Sequence, residues 1–151
     1  MYDRILLPTD TSAGVQRAID HAIHAAKRYE TDIHFLFVVD KDVYSAYSGD
    51  EYVHELEGLE SALEQAGQEE LERLRERAAQ DGLDVTTELR HGVPHEEILA
   101  YADEADIDLT VMGSESRPGE YRQLIGSVTK RVTKLSRQPV TVVKTELEES
   151  G

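Results

Sequence analysis

The sequence predicts an α/β fold built on a parallel sheet, and three observations support this fold class. Apolar runs of strand length recur along the chain, each continuous enough to be buried on both faces. Between them lie segments whose apolar residues repeat at helical spacing. The two kinds alternate as βαβαβαβαβ, an order that places helices on both faces of the sheet with right-handed crossovers. The 151 residues suffice for one domain, which we expect at residues 1–145, followed by a polar tail at 146–151.

The first part of the chain supplies two strands and one amphipathic helix. Residues 4–8 contain the apolar run Ile5-Leu6-Leu7, and residues 33–39 form a second run. Residues 9–12 between them have the side chains of a turn and a helix N-cap. The helix that follows has an apolar stripe with spacings of three and one, formed by Val15, Ala18, Ile19, Ala22, Ile23 and Ala26.

Residues 50–80 are the most charged segment and predict one long helix. Gly58 and Gly67 weaken this helix, and Asp81-Gly82 closes it. We interpret its acidic face as solvated, with recruitment of a partner as the less favoured alternative. Its apolar stripe is formed by Leu56, Leu59, Leu63, Leu71, Leu74 and Ala78.

The rest of the chain supplies three strands and two helices. Pro94 suits the first position of a helix, whose buried face is formed by Ile98, Leu99 and Ala102. The last helix buries Val128, Val132 and Leu135. The strands are predicted at residues 85–90, 109–112 and 140–143.

Composition excludes several classes of function. The formal charge of −15 comes from 31 acidic and 16 basic residues and repels nucleic acid and anionic membranes, so we expect neither as a partner. We favour adaptation to molar salt over an ordinary solvated acidic surface, because the chain is also poor in lysine. The absence of cysteine excludes disulfides and thiol catalysis. With no apolar run of membrane length and no signal-peptide pattern, we expect a cytoplasmic protein.

A glycine-containing loop follows the fourth predicted strand. The strand ends at Val111-Met112-Gly113-Ser114, and the chain enters the last helix through Gly126-Ser127-Val128-Thr129. Glycine lets backbone N–H groups approach a ligand, and a helix N-terminus offers unpaired donors that suit phosphate. A plain strand-to-helix connection needs the same residues, so both interpretations stay open on these residues alone. If the first and fourth strands are neighbours, this loop faces residues 8–10 across one crevice.

Other chemical motifs find little support. The histidine pairs His21/His24 and His91/His95 lack an evident third metal ligand, so we interpret them as surface residues. The chain has no Walker A motif, no Gly-x-Gly-x-x-Gly after the first strand and no Gly-x-Ser-x-Gly. These absences argue against a P-loop NTPase, a dinucleotide enzyme and a serine hydrolase.

The chain resembles the universal stress protein family from end to end. The resemblance rests on residues 2–10, 37–40, 111–128 and 138–143. It implies a five-stranded sheet in the order 3-2-1-4-5 and a homodimer joined through the last strand, Val140–Val143. The ATP-binding branch of the family has the loop motif G-x2-G-x9-G-[S/T].

Within that motif, Gly113, Gly126 and Ser127 match in register. Ser116 stands where the middle glycine would be, and Glu115 stands where a basic side chain is common. A serine forced into a left-handed backbone costs roughly 1–2 kcal/mol, and a carboxylate near a triphosphate adds repulsion. Both departures weaken the expected nucleotide binding.

The resemblance implies a site for ATP with Mg²⁺ or Mn²⁺, and it assigns no protein side chain to the metal and no catalytic residue. Capping for Asp10 and core packing for Val38 and Met112 are the alternatives in the absence of the resemblance. The implied nucleotide-binding residues, in chain order, are Pro8, Thr9 and Asp10 on the adenosine side, Val38 at the adenine, Met112 and Gly113 beneath the ribose and phosphates, and Ser116, Gly126, Ser127, Val128 and Thr129 around the phosphates.

The function implied by the resemblance is that of a dimeric, nucleotide-binding stress-response regulator or sensor. We expect at most slow ATP hydrolysis or autophosphorylation. A nucleotide-independent dimeric scaffold of the same fold is the alternative, and Glu115 and Ser116 favour it. A phosphoryl-accepting receiver domain is a third and weaker interpretation, because Asp10 stands alone and the third strand is followed by no acceptor aspartate.

Overall fold

Five parallel strands form one sheet in the order β3-β2-β1-β4-β5, which confirms the order implied by the resemblance. The computed structural model describes residues 2–9, 15–41, 53–114 and 127–144, with the backbone alone for residues 53–57. The strands are β1 (Arg4–Thr9), β2 (Asp32–Asp40), β3 (Val85–Gly92), β4 (Leu109–Gly113) and β5 (Val140–Val143). The helices in these ranges are α1 (Val15–Tyr29), α2 (Val53–Gln80), α3 (Pro94–Glu104) and α4 (Ser127–Leu135).

The strands run further than their apolar residues predict. The strands predicted at 4–8, 85–90 and 109–112 end instead at Thr9, Gly92 and Gly113. Their backbones stay in the ladders, since Thr9 pairs with Phe37 and Gly113 pairs with Val143. The prediction stopped too early because side-chain burial marks the middle of a strand, whereas backbone pairing marks its end. The predicted start of the long helix at residue 50 lies outside the described residues.

The helices cover the two faces of the sheet in pairs. Helices α1 and α2 pack on one face over a core that includes Phe35 and Leu74, and the predicted stripe of α1 is buried in it. Helices α3 and α4 pack on the other face over a smaller core that includes Leu6 and Leu36. None of the helices in the described ranges has the length and apolar character of a membrane span.

Helix α2 lies very close to the sheet at Gly67. A Cβ atom at this position would lie 2.5 Å from Cδ1 of Phe37 and 2.9 Å from Cδ1 of Leu89. Gly67 therefore does more than weaken the helix, because any larger residue would have to displace these side chains. Gly82, at φ +80°, follows the end of α2 as predicted.

The amino end of the sheet, where the strands begin, is closed by Asp108. Its Oδ2 accepts hydrogen bonds from the backbone N–H groups of Asp3 at 2.8 Å and Arg4 at 3.0 Å. The N–H of Asp108 donates to the carbonyl of Arg4 at 2.9 Å. These bonds join the start of β1 to the residue before β4.

Candidate functional site

The strand order reverses between β1 and β4, and the sheet opens there at its carboxyl end, where the strands end. The ladder between the two strands pairs Ile5 with Leu109 and Leu6 with Thr110. Beyond those pairs β1 continues to Thr9 along β2, and β4 continues to Gly113 along β5. The ends of β1 and β4 therefore border a crevice at the topological switch point, where sheets of this class bind ligands.

The end of β1 places two predicted residues on this crevice. Pro8 is half-buried, and Thr9 is 7% exposed. The hydroxyl of Thr9 donates a hydrogen bond to Oε2 of Glu70, on α2, at 3.5 Å. Thr9 thus faces the α1 and α2 side of the sheet, whereas the alternation of side chains along the strand turns Pro8 to the α3 and α4 side.

Two further predicted residues, Val38 on β2 and Met112 on β4, share the α3 and α4 side. Met112 is buried in the smaller core, and Val38 packs against that core while remaining half-buried. The strand between them is β1, which ends in Pro8 on the same face. The structure therefore brings Pro8, Val38 and Met112 to one face of the carboxyl end.

A hydrogen bond joins the two ends of the predicted phosphate-binding loop, at Gly113 and Thr129. The hydroxyl of Thr129, 6% exposed in the first turn of α4, donates to the carbonyl of Gly113 at 2.7 Å. Val128 packs against the smaller core, and Ser127 is exposed at the first residue of α4. The N–H groups of a first helical turn have no partner within the helix, so this turn presents donors beside Gly113.

Three predicted site residues, Asp10, Ser116 and Gly126, lie outside the described residues, as does Glu115. Their roles stay predictions. The described part of the site is the floor of the crevice and the two ends of its loop.

Histidine and carboxylate groups do not form a metal centre in the described part of the chain. His21 and His24 are exposed, as predicted. Nε2 of His91 lies 3.2 Å from a carboxylate oxygen of Glu64 and 3.7 Å from one of Glu60. Across the described ranges, no three His, Asp or Glu side chains are arranged to hold a metal ion.

A cavity of about 360 Å³ lies at the amino end of the sheet, away from the crevice. Lys27, Thr31, Asp32 and Asp84 are among its lining residues, and none of the predicted site residues lines it. This cavity is therefore separate from the predicted site.

A polar cluster holds α3 on the sheet, and sequence reasoning missed it. Nδ1 of His34, 8% exposed on β2, shares a hydrogen bond of 2.7 Å with the hydroxyl of Tyr101 on α3. Cζ of Arg90 lies 5.1 Å from the centroid of the Tyr101 ring, and its guanidinium binds Glu104 at 2.6 Å. Burial lowers the pKa of His34 and raises the pKa of Tyr101, and the hydrogen bond to Glu104 is the main cause of the raised pKa of Arg90.

Glu70 is the other residue that sequence reasoning missed. Its side chain is 10% exposed, although it lies on the most acidic helix. The available signal was its position three residues after Gly67 and four before the buried Leu74, on the side of α2 that faces the sheet.

Comparison with known proteins gives one consistent result. The model of the universal stress protein family matches residues 1–144. A universal stress protein of Methanocaldococcus jannaschii is 36% identical over 144 residues, which cover 95% of this chain and 83% of that protein.

Solved structures agree with the sequence comparison. The universal stress protein UspA of Lactobacillus plantarum superimposes with a TM-score of 0.84 at 28% identity, covering 95% of this chain and 98% of that one. A universal stress protein in complex with cAMP superimposes with a TM-score of 0.70 at 23% identity, covering 96% of this chain and 99% of that one. At that identity, the cAMP complex establishes a shared fold only.

Proposed function

Because the chain belongs to the universal stress protein family, we propose that it binds an adenine nucleotide in the crevice between β1 and β4, with ATP and Mg²⁺ or Mn²⁺ as the ligand. One observation carries the proposal. The bond between Thr129 and Gly113 places the first turn of α4 beside the end of β4, where the β1–β4 ladder has already stopped. This arrangement offers helix N-terminal donors next to a gap in the sheet, which suits a phosphate chain.

The described residues suit the two ends of such a ligand differently. Pro8, Val38 and Met112 offer an apolar face at the carboxyl end, and we propose that it receives the adenine. Gly113, Ser127, Val128 and Thr129 offer backbone donors and hydroxyls, and we propose that they receive the phosphates together with Ser116 and Gly126. Thr9 and Asp10 are proposed to hold the ribose side. The metal would be bound chiefly by the phosphates. A universal stress protein of the same fold has been solved in complex with cAMP, an adenine nucleotide.

The direct test is calorimetric titration with Mg-ATP in molar KCl. We expect micromolar binding near one site per chain, and at least tenfold weaker binding in Asp10→Ala. Asp84→Ala removes the same charge at the exposed amino end and serves as the matched control, with unchanged affinity expected. No heat from the folded wild type at two temperatures would refute the nucleotide-binding proposal.

The second candidate is a nucleotide-independent dimeric scaffold, and the pair Glu115-Ser116 favours it. Ser116→Gly restores the residue common in the ATP-binding branch and separates the two candidates. A gain of more than tenfold in Mg-ATP affinity would mean that the native loop is impaired, whereas a change within twofold would mean that serine is tolerated. Under either candidate we propose that ATP hydrolysis or autophosphorylation is slow at most.

We also propose a homodimer through β5. This strand lies at one edge of the sheet with all four residues half-buried. Leu135 on α4, which the helical spacing predicts to be buried, is instead 55% exposed. An apolar edge strand favours pairing with another chain. We expect Val142→Lys to shift the protein to monomers in sedimentation, whereas Gln68→Lys, on the exposed side of α2, should leave the dimer intact. A dimer that survives Val142→Lys would place the interface elsewhere.

The acidic surface carries a separate proposal of adaptation to molar salt. Self-repulsion of a chain with a net charge of −15 is screened when the Debye length shrinks to about 3 Å. We expect the melting temperature to rise strongly between 0.1 M and 2 M KCl, measured by circular dichroism. Full stability at low ionic strength would refute this proposal.

A further inference from the structure

Helix α2 reaches the carboxyl end of β1 through one carboxylate, that of Glu70. Its Oε2 accepts the hydrogen bond from the Thr9 hydroxyl at 3.5 Å. Thr9 is the last residue of β1 and is buried at the border of the crevice. An acidic residue of the long helix therefore contacts a predicted site residue, although the sequence predicts that the acidic face of this helix is solvated.

The charge of Glu70 is balanced within its own helix. Nη2 of Arg73 lies 2.8 Å from each of the two carboxylate oxygens of Glu70. A largely buried carboxylate is unfavourable unless it is paired and hydrogen-bonded, and Glu70 is both. Because Arg73 neutralises it, Glu70 does not act on a nearby phosphate as a lone negative charge would.

A second contact, at Gly67, holds α2 close to the sheet. Gly67 lies three residues before Glu70, on the same side of the helix, and is packed against the side chains of Phe37 and Leu89. Phe37 is the ladder partner of Thr9. Helix α2 thus contacts β2 at Phe37 and β1 at Thr9, and both residues lie at the carboxyl end of the sheet.

We propose that Glu70 is a positioning residue of the nucleotide site and acts through Thr9. This inference rests on the proposed nucleotide-binding function. By accepting the hydroxyl hydrogen bond, Glu70 holds the Thr9 side chain and the last peptide of β1 in place before the ligand arrives. A site whose groups are already held loses less entropy on binding.

The test compares Glu70→Ala with Glu70→Gln. Both remove the negative charge that pairs with Arg73, but glutamine keeps an acceptor oxygen for Thr9. We expect the Kd for Mg-ATP to rise about three- to tenfold in Glu70→Ala and to stay within twofold of wild type in Glu70→Gln. Glu69→Ala, at the exposed neighbouring position, should leave the Kd unchanged.

Two results would overturn the proposal. Equal affinities in Glu70→Ala and Glu70→Gln would show that the acceptor is irrelevant, and tighter binding in both would show that charge alone matters. A double-mutant cycle sharpens the test, because Glu70→Ala added to Thr9→Val should weaken binding no further if Glu70 acts through Thr9. An additional loss would mean that Glu70 acts by another route.

A measurement without nucleotide separates this inference from the proposed function. Amide hydrogen exchange at Leu7 and Thr9 should be at least threefold faster in Glu70→Ala and near wild type in Glu70→Gln, with Val111 on β4 unchanged. Unchanged exchange at Thr9 would overturn the positioning role whatever the nucleotide affinity. Faster exchange in a protein whose wild type binds no Mg-ATP would refute the nucleotide function and leave Glu70 as a residue that orders β1 alone.

Discussion

The two ends of the sheet are built differently, although the same five strands run through both. At the amino end, one carboxylate of Asp108 receives two backbone N–H groups and joins the start of β1 to β4. At the carboxyl end, the β1–β4 ladder has stopped, and the hydroxyls of Thr9 and Thr129 hold the surrounding elements instead. At the amino end, hydrogen bonds to Asp108 thus join β1 to β4, whereas at the carboxyl end the two strands separate and are bordered by an apolar face and by the two threonine hydroxyls.

From this difference we expect stability and ligand binding to depend on opposite ends of the sheet. Binding groups in α/β sheets are carried where the strands end, on loops that a rigid sheet positions. Substitutions at the amino end should therefore lower the free energy of unfolding and leave nucleotide affinity unchanged. Substitutions at the carboxyl end should change affinity as well.

The largest effect is expected from Asp108→Ala. The change leaves the N–H groups of Asp3 and Arg4 without their charged acceptor and should lower the free energy of unfolding by about 2–3 kcal/mol. Urea denaturation measures this loss, and Asp108→Asn, which keeps an acceptor oxygen, should recover part of it. A folded Asp108→Ala protein with weakened Mg-ATP binding would contradict the separation of the two ends.

The second-largest effect on the free energy of unfolding is expected from Gly67→Ala, with Gly58→Ala on the same helix as the comparison. Gly67→Ala places a methyl group against the ring of Phe37 and should lower the free energy of unfolding by about 1–3 kcal/mol. Gly58→Ala meets nothing within 4 Å and should raise it by up to about 1 kcal/mol, because alanine favours a helix. We also expect Gly67→Ala to weaken Mg-ATP binding, because the contact lies at the carboxyl end. Equal thermal shifts in the two variants would mean that α2 is not closely docked.

Much of the fold could be predicted because its determinants are local. The apolar runs of the three central strands and the stripe of α1 are buried as their spacing predicts, whereas the edge strands β3 and β5 are mostly half-buried. The ends of β3 and β4 could not be predicted in the same way. Gly92 and Gly113 belong to strands through backbone pairing with β2 and β5, and no side chain records such pairing.

The candidate site was predictable only in part, for a related reason. Gly113 and Thr129 stand in a loop motif that the sequence displays, so their neighbourhood could be expected. Glu70 and His34 make their hydrogen bonds with residues 61 and 67 positions away. Their own segments indicate at most that they lie on a buried side, and do not identify these partners. Polar residues in buried positions are a product of tertiary packing, which single-segment patterns do not record.

A smaller effect tests the carboxyl end directly. Thr129→Val removes the hydrogen bond to Gly113 and should lower the free energy of unfolding by about 1 kcal/mol while raising the Kd for Mg-ATP about three- to tenfold. Thr133→Val, on the same helix, removes a hydrogen bond to the carbonyl of Thr129 and should affect stability without affecting affinity. If the two valine variants bind Mg-ATP equally well, the junction of α4 with β4 does not shape the site.

The smallest effect concerns pH and the buried His34, which lies near the amino end of β2. Burial lowers its pKa in the folded protein, with Asp32 opposing and Arg4 reinforcing the shift. Below the ordinary pKa of about 6.5, the unfolded chain therefore binds a proton that the folded chain does not. Stability should be constant above that pH and should fall by up to about 1 kcal/mol as the pH is lowered from 7.5 to 5.5.

His34→Gln isolates this contribution, because glutamine can still bond the Tyr101 hydroxyl but does not titrate. The difference between wild type and His34→Gln in urea denaturation should shrink or reverse as the pH falls, whereas His21→Gln, at an exposed histidine, should follow the wild-type curve. Mg-ATP affinity should be the same in both variants, since His34 contacts α3 rather than the crevice. If the difference in the free energy of unfolding between wild type and His34→Gln does not change with pH, then His34 takes up its proton without leaving its contact with Tyr101. Helix α3 would then stay docked over the acid range.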